Sequence, residues 1–168
     1  MKVLVVDDHR FNREIIGFIL ADHGYEYTEA ECGRSACDAV AADQSIDLVL
    51  MDINMPFMDG YQATEEIKAH CGDRFIPIIF ITALDDDETL ARCLSVGGDD
   101  FLGKPVNENV LVAKLKAHER TVCYHRQLRQ TNTQLHHHQM QVEREHVIVE
   151  RILQSGIQRS DNHCSNVT

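Results

Sequence analysis

The sequence predicts an α/β domain: a five-stranded parallel sheet covered by helices on both faces, with the last helix running on into a long coiled-coil stalk. Three observations predict it. Short apolar runs rich in Val and Ile recur at Val3–Val6, Leu48–Met51 and Ile76–Ile81, and helical patterns lie between them. These runs are nearly continuous rather than alternating, as strands buried on both faces require. Beyond Pro105 the punctuation stops: residues 107–153 contain neither Gly nor Pro.

The elements follow in order. After the first strand, Phe11, Ile15, Ile16, Ile19 and Leu20 fall at helical spacing over residues 10–22, and His23-Gly24 ends the pattern. A weaker strand is expected near 26–30. Ala36, Cys37, Val40 and Ala41 mark a helix over 34–43. The third strand leads through Asp59-Gly60 into a helix over 60–70. The fourth leads into a helix over 86–96 that stops at Gly97-Gly98, and a short fifth strand is expected near 100–102. In the last helix, Leu128, Leu135, Val142 and Val149 are spaced by seven. The offset row, Val110, Ala117, Tyr124, Thr131, His138, Glu145 and Ile152, is polar in its middle. One clean row beside one polar row predicts a helix that pairs weakly with a second copy, in parallel. Up to Leu153 it would extend on the order of 70 Å at 1.5 Å per residue. The domain reading is therefore 1–119 for the α/β domain, 120–154 for the helical linker and 155–168 for a polar tail, read as a truncated linker.

The chain has 168 residues, a hydrophobic content of 43% and a formal net charge of −11. That is enough for one compact domain and something extra, with a core that needs no staples. Residues 120–168 hold six Arg, no Lys and four acids, which leaves 23 acidic and 10 basic residues in 1–119. An acidic domain of this kind argues against nonspecific nucleic-acid binding, and the tail is too short and too little basic for a DNA-reading module. Cys32, Cys37, Cys71, Cys93, Cys123 and Cys164 form no CxxC pair and no metal-type spacing, so they read as reduced structural thiols. Val3–Val6 is too short for the apolar core of a signal peptide, and no stretch approaches the roughly 20 apolar residues of a membrane span. The expectation is a cytoplasmic protein.

The chemistry is placed at strand ends. Asp7 and Asp8 follow the first strand and Asp52 follows the third, so a parallel sheet brings them to one edge, where function gathers in such folds. Carboxylates converging there require a cation, and hard oxygen ligands in an open site suit Mg²⁺. The backbone carbonyl of Asn54 is a further candidate ligand. Lys104 follows the fifth strand and precedes Pro105, where a cis bond would turn the chain and bring the ammonium to the acids. Thr82 ends the fourth strand with a hydroxyl suited to a phosphoryl oxygen, and Ala83 leaves room for it. Asp52 is thus read as an in-line carboxylate nucleophile in phosphoryl transfer, which depends chiefly on positioning and on cations that spread charge.

Read together, VLVVDD at 3–8, LVLMDINMPFMDG at 48–60, FITA at 80–83 and DDFLGKP at 99–105 resemble the receiver domain of two-component response regulators over about residues 1–119. The resemblance implies a flavodoxin-like (βα)5 receiver fold. It also implies that Asp52 takes a phosphoryl group from a sensor histidine kinase or a histidine phosphotransfer protein. Asp8, Asp52 and the Asn54 carbonyl would hold Mg²⁺, and Asp7 would act mainly through a metal-bound water. Lys104, Thr82 and Ala83 would receive the phosphoryl oxygens, and Phe101 would be the switch aromatic that turns inward as Thr82 moves. The chain itself would be a phosphoryl acceptor with at most slow self-dephosphorylation, not an enzyme. Two departures stand out. Gly97-Gly98 replaces a more usual Gly-Ala pair, which suggests a loosened entry to the fifth strand. Leu84 is apolar at a variable position that influences loss of the phosphate.

Other features take plainer readings. His9 is expected to be a loop residue near the site, and Asn12 and Arg13 to be a solvated helix start, with the alternative that they face the site. His136-His137-His138 reads as a solvated run, because adjacent residues of a helix do not share a face. The stretch at 128–158 looks like the coiled linkers that join receivers to metal-dependent serine/threonine phosphatase domains. That resemblance implies a regulatory part of a larger phosphatase. A diguanylate cyclase output, or a complete dimeric receiver acting as a protein-binding adaptor, are the alternatives.

Overall fold

The structure is a computed structural model that describes the backbone of residues 1–83 and 87–164, with side-chain surroundings through Arg144 and at Ile148. The element order is β1 (Lys2–Val6), α1 (Arg10–Asp22), β2 (Glu26–Ala30), α2 (Gly33–Ala42), β3 (Ile46–Asp52), α3 (Gly60–His70), β4 (Ile78–Thr82), α4 (Asp87–Ser95), β5 (Asp100–Gly103) and α5 (Glu108–Cys164). The five strands form one sheet in the order β2-β1-β3-β4-β5, and every pairing is parallel. The order reverses between β1 and β3, which opens the crevice in which such sheets bind their ligands.

Period-two alternation in the central strands divides the core into two layers. Val3 and Val5, Leu48 and Leu50, and Ile79 and Ile81 pack with Ile16 and Leu20 of α1 and Leu111 and Leu115 of α5. Their neighbours Leu4 and Val6, Val49 and Met51, and Ile78 and Phe80 pack with Val40 of α2, Ile67 of α3 and Cys93 of α4. All seven residues of β3 are buried, whereas β2, at the sheet edge, buries only Ala30. That contrast explains why β3 reads clearly in the sequence and β2 weakly.

The chain divides into two compact units, Met1–Tyr124 and His125–Thr168. The first reaches past the residue-119 boundary because Val122 still buries its side chain, at 5% exposure. In the second, every residue from His125 to Arg144 is exposed, including Leu128, Leu135 and Val142. Helix α5 also passes Leu153 and Gly156 and is helical to Cys164, where the sequence reading placed a polar tail. One glycine costs a helix only about 1 kcal/mol, and no proline follows it. Residues 165–168 and Leu84 lie outside the described residues. None of the described helices is long and apolar enough to cross a membrane. Cys32, Cys37, Cys71, Cys93 and Cys123 are unbridged, and burial pushes the Cys37 thiol up to about 11.

The loosening expected at Gly97-Gly98 is not found. A Cβ on Gly98 would lie 2.5 Å from the Phe80 ring and 2.6 Å from the Cys93 carbonyl oxygen, so the backbone is packed tightly there. Gly98→Ala is expected to destabilise the domain by about 1–3 kcal/mol through overpacking, seen as a lower urea midpoint with an unchanged m-value. Wild-type stability of this variant would show that the Phe80 contact yields freely.

Candidate functional site at the carboxyl edge of the sheet

Pairing of Val6 with Met51 brings the ends of β1 and β3 side by side, so Asp7 and Asp52 emerge together. Both are buried, at 1% and 3% exposure, and Asp8 is half-buried. Between the two buried acids sits Lys104. Its Nζ donates to Asp7 Oδ2 at 2.9 Å and to Asp52 Oδ1 at 2.9 Å. The lysine is aimed by its own backbone, whose N–H donates to the Thr82 carbonyl at 2.7 Å, and the Lys104–Pro105 peptide is cis.

The two partners of this ion pair titrate in the same direction for different reasons. Burial raises the Asp52 pKa, the nearby Asp7 and Asp8 charges add to that, and together they outweigh the lowering by Lys104. Burial works against the Lys104 charge, but hydrogen bonds and attraction from Asp52 and Asp7 prevail and hold its pKa above the ordinary lysine value.

The edge of the site is set by close backbone approach. Asp59 caps α3 by accepting from the Gln62 N–H at 2.8 Å, and Gly60 follows it. A Cβ at residue 60 would collide with the Asp52 carbonyl, so glycine is what lets α3 start directly against the end of β3. Thr82 is buried at 1% exposure at the end of β4, and Ala83 beyond it is exposed. Asn54 is exposed two residues past Asp52. Phe101, on β5, leaves its ring 37% exposed, with the Lys114 ammonium 5.5 Å from the ring centroid. Lys114 also donates to Asp100 at 2.6 Å.

The structure corrects the reading of α1. Asn12 is not a solvated residue: its Nδ2 donates to both carboxylate oxygens of Asp7 at 3.0 Å. Arg13 is 12% exposed, donates through Nη1 to the Asp7 carbonyl at 2.8 Å and pairs with Glu29 at 3.0 Å. The helix opens at His9, and its first turn brings residues 12 and 13 back over Asp7. That geometry was available from the spacing once the helix start was fixed. His9 Nδ1 lies 2.7 Å from Asp8 Oδ1, with its ring mostly exposed. Around His136–His138 no group of three ligand-type side chains forms among the described residues.

The donor set suits a hard divalent cation. Oxygens of Asp7 and Asp8 and a ring nitrogen of His9 lie within 4.8 Å of one another, and Asp52 joins Asp7 through Lys104. Two buried carboxylates share one ammonium with Asp8 close by, and the ligands are oxygen-rich and open to solvent on the Asp8 side.

Residues 3–116 match the family of response regulator receiver domains. The chain belongs to that family. It is 34% identical over 125 residues to a cyclic di-GMP phosphodiesterase of Thermotoga maritima, covering 74% of this chain and 33% of that protein. It is 38% identical over 122 residues to the sensor histidine kinase RcsC of Salmonella typhimurium, covering 73% of this chain and 13% of RcsC. The chain thus spans a third or less of these relatives' lengths. Among solved structures, Vibrio cholerae chemotaxis protein CheY4 superposes with a TM-score of 0.63 at 32% identity, covering 69% of this chain and 96% of CheY4. A co-crystal of the Saccharomyces cerevisiae histidine phosphotransfer protein Ypd1 with the receiver domain of Ssk1 matches with a TM-score of 0.63 at 28% identity. It covers 68% of this chain and 85% of that one. As a receiver, this chain is a phosphorelay signalling module with the flavodoxin-like fold.

The raised Asp52 pKa fixes a sign. An acid whose folded pKa exceeds its unfolded value near 3.9 loses folded-state stability as pH climbs through the unfolded and then the folded value. In chelator at pH 7, Asp52→Asn is therefore expected to melt above the wild type. The gap should close below about pH 4, where the wild-type acid is protonated as well. A lower melting temperature for the variant at pH 7 would mean that the Lys104 pairing outweighs burial.

Proposed function

We propose that Asp52 accepts a phosphoryl group from a phosphohistidine on a sensor kinase or histidine phosphotransfer protein, in a Mg²⁺-dependent reaction, and that the resulting charge resets the α4–β5–α5 face and the stalk. The observation that carries this reading is the Lys104 ammonium shared by the two buried carboxylates. A carboxylate oxygen of Asp52 attacks phosphorus, the P–O bond forms as the P–N bond breaks, and the electron pair leaves with the imidazole. Asp8, Asp52 and the Asn54 carbonyl would hold Mg²⁺, with Asp7 acting through a water. Bound there, the ion supplies charge neutralisation for the transferring oxygens. Lys104 follows the new charge from the carboxylates to the phosphoryl group, and Asn12 and Arg13 keep Asp7 in place.

The acyl phosphate adds negative charge at a buried edge. Thr82 answers it with its hydroxyl, beside the opening at Ala83. Movement of Thr82 leaves space for Phe101 to turn inward from its half-exposed place under the Lys114 ammonium, and Lys114 belongs to α5. The exposed Leu128, Leu135 and Val142 support a parallel homodimer through α5. The chain acts as an acceptor rather than an enzyme, and on the likeness of residues 128–158 to receiver-to-phosphatase linkers its output is read as a metal-dependent serine/threonine phosphatase. The second reading, a dimeric adaptor that engages a partner through the stalk, rests on the same exposed row.

Two outcomes are expected. Acetyl phosphate with Mg²⁺ should label the wild type. Asp52→Asn or excess EDTA should abolish labelling, and undiminished labelling of the variant would remove Asp52 as the acceptor. In sedimentation, the full chain should be a dimer and a chain ending at Tyr124 a monomer. The same oligomeric state for both would exclude the stalk as the contact.

A further inference from the structure

Phe57, in the loop between β3 and α3, has a φ of +68° and a ring that is 104% exposed. A left-handed backbone is costly for a bulky side chain, and an aromatic ring in water forgoes its burial. Both costs fall on one residue, and its ring is covered by none of the described residues.

The loop nevertheless holds this residue firmly. The Met58 N–H donates to the Pro56 carbonyl at 2.8 Å, closing a three-residue turn centred on Phe57, the rare and strained kind. The N–H groups of Met55 and Gly60 both donate to the Ile53 carbonyl, at 3.2 and 2.9 Å. Met55 is buried, and Met58 packs against the core beside Gly33. The backbone on both sides of the tip is thus held by hydrogen bonds and packing, and the ring between them projects into solvent. Strain kept at a site is a pointer to function.

The occupant follows from the chemistry next to it. Phe57 is five residues from Asp52, in the loop that leaves the same end of β3. A protein that delivers a phosphoryl group in line to Asp52 has to lay its surface over that edge. Beside Lys104 the edge is already apolar: Phe11 and Ile15 of α1, with Pro105 and Val106, line a groove of about 280 Å³. A rigid exposed aromatic is the kind of side chain that dominates an interface while losing little freedom on binding. We propose that Phe57 is a docking anchor for the protein phosphodonor, its ring entering an apolar socket beside the donor's phosphohistidine. This rests on the reading of Asp52 as an acceptor from a protein phosphohistidine.

The test uses the full chain and the variants Phe57→Gly, Phe57→Asn and Phe57→Tyr. Gly and Asn tolerate positive φ, so both should melt at or above the wild-type temperature. Acetyl phosphate should label all three at the wild-type rate. Transfer from phosphorylated Ypd1 or from the autophosphorylated RcsC kinase core, whichever is faster on the wild type, should fall about tenfold or more in the Gly and Asn variants and recover in Tyr. Equal transfer to all variants would overturn the proposal. So would a lower melting temperature, which would mean that the ring serves its own fold. A matching loss of acetyl phosphate labelling would place the ring in the site chemistry instead. A changed oligomeric state would make the occupant a second copy. No transfer to the wild type from either donor, with acetyl phosphate labelling intact, would remove the protein phosphohistidine donor and the anchor with it. Failure of wild-type labelling by acetyl phosphate would instead sink the acceptor reading itself.

Discussion

Two buried carboxylates that share one ammonium are the constraint on which this domain is arranged. Asp7 and Asp52 sit on neighbouring parallel strands because the sheet reverses its order between β1 and β3. Neither acid is comfortable there, since both have left water and they face each other. Lys104 makes the arrangement tolerable, and much of the nearby backbone serves to deliver it. Thr82 receives the Lys104 N–H, Asn12 holds both oxygens of Asp7, and Arg13 pins the Asp7 carbonyl. Gly60 brings α3 against the Asp52 carbonyl, which fixes the acceptor loop from below.

The same arrangement leaves the site short of positive charge. A site in that condition is poised rather than relaxed, because any added cation or anion redistributes the single ammonium among its partners. On the proposed reading, phosphorylation draws Lys104 toward the new oxygens and weakens its hold on Asp7. Thr82 links that event to β5, because its carbonyl accepts the N–H of the lysine that moves. Phe101 lies on the neighbouring strand, in register with Phe80, with its ring under the Lys114 ammonium. On that reading, the path from Asp52 to α5 runs through backbone hydrogen bonds and one aromatic side chain.

The fold was legible where burial is complete. Strands buried on both faces cannot alternate, so β1, β3 and β4 stand out as apolar runs, and α1 and α3 begin and end where their spacing and flanking residues place them. Asp7, Asp52 and Lys104 were legible for a topological reason: in a parallel sheet, any residue just past a strand lies on one edge. Asn12 and Arg13 were misread because their roles depend on where the first helical turn points, which spacing alone does not reveal until the helix start is fixed. Phe57 carried no signal at all. Glycine or asparagine at that position would have announced a left-handed backbone, whereas phenylalanine announces a buried ring and does the opposite. At the other end of the chain, residues 155–168 were read as a tail from their polarity, although a polar stretch with one glycine can still continue a helix.

The stalk follows a different physics from the domain. A helix with every side chain in water from His125 to Arg144 has no tertiary packing to hold it, and isolated helices are marginal. Pairing would supply that packing, but only on modest terms. One seam row offers Leu128, Leu135 and Val142, while the other offers Thr131 and His138. The positions flanking these rows are Gln127, Asn132, Gln134, Gln139 and Gln141, so the cross-seam charge pairs that strengthen and orient many coiled coils are missing from this stretch. A strong zipper would hold two receivers together whatever their state. A weak one keeps the paired and unpaired forms within a few kcal/mol of each other, the range over which a change at one residue can shift a population. On the proposed reading, the polar seam keeps that pairing weak enough for a small free energy to shift it.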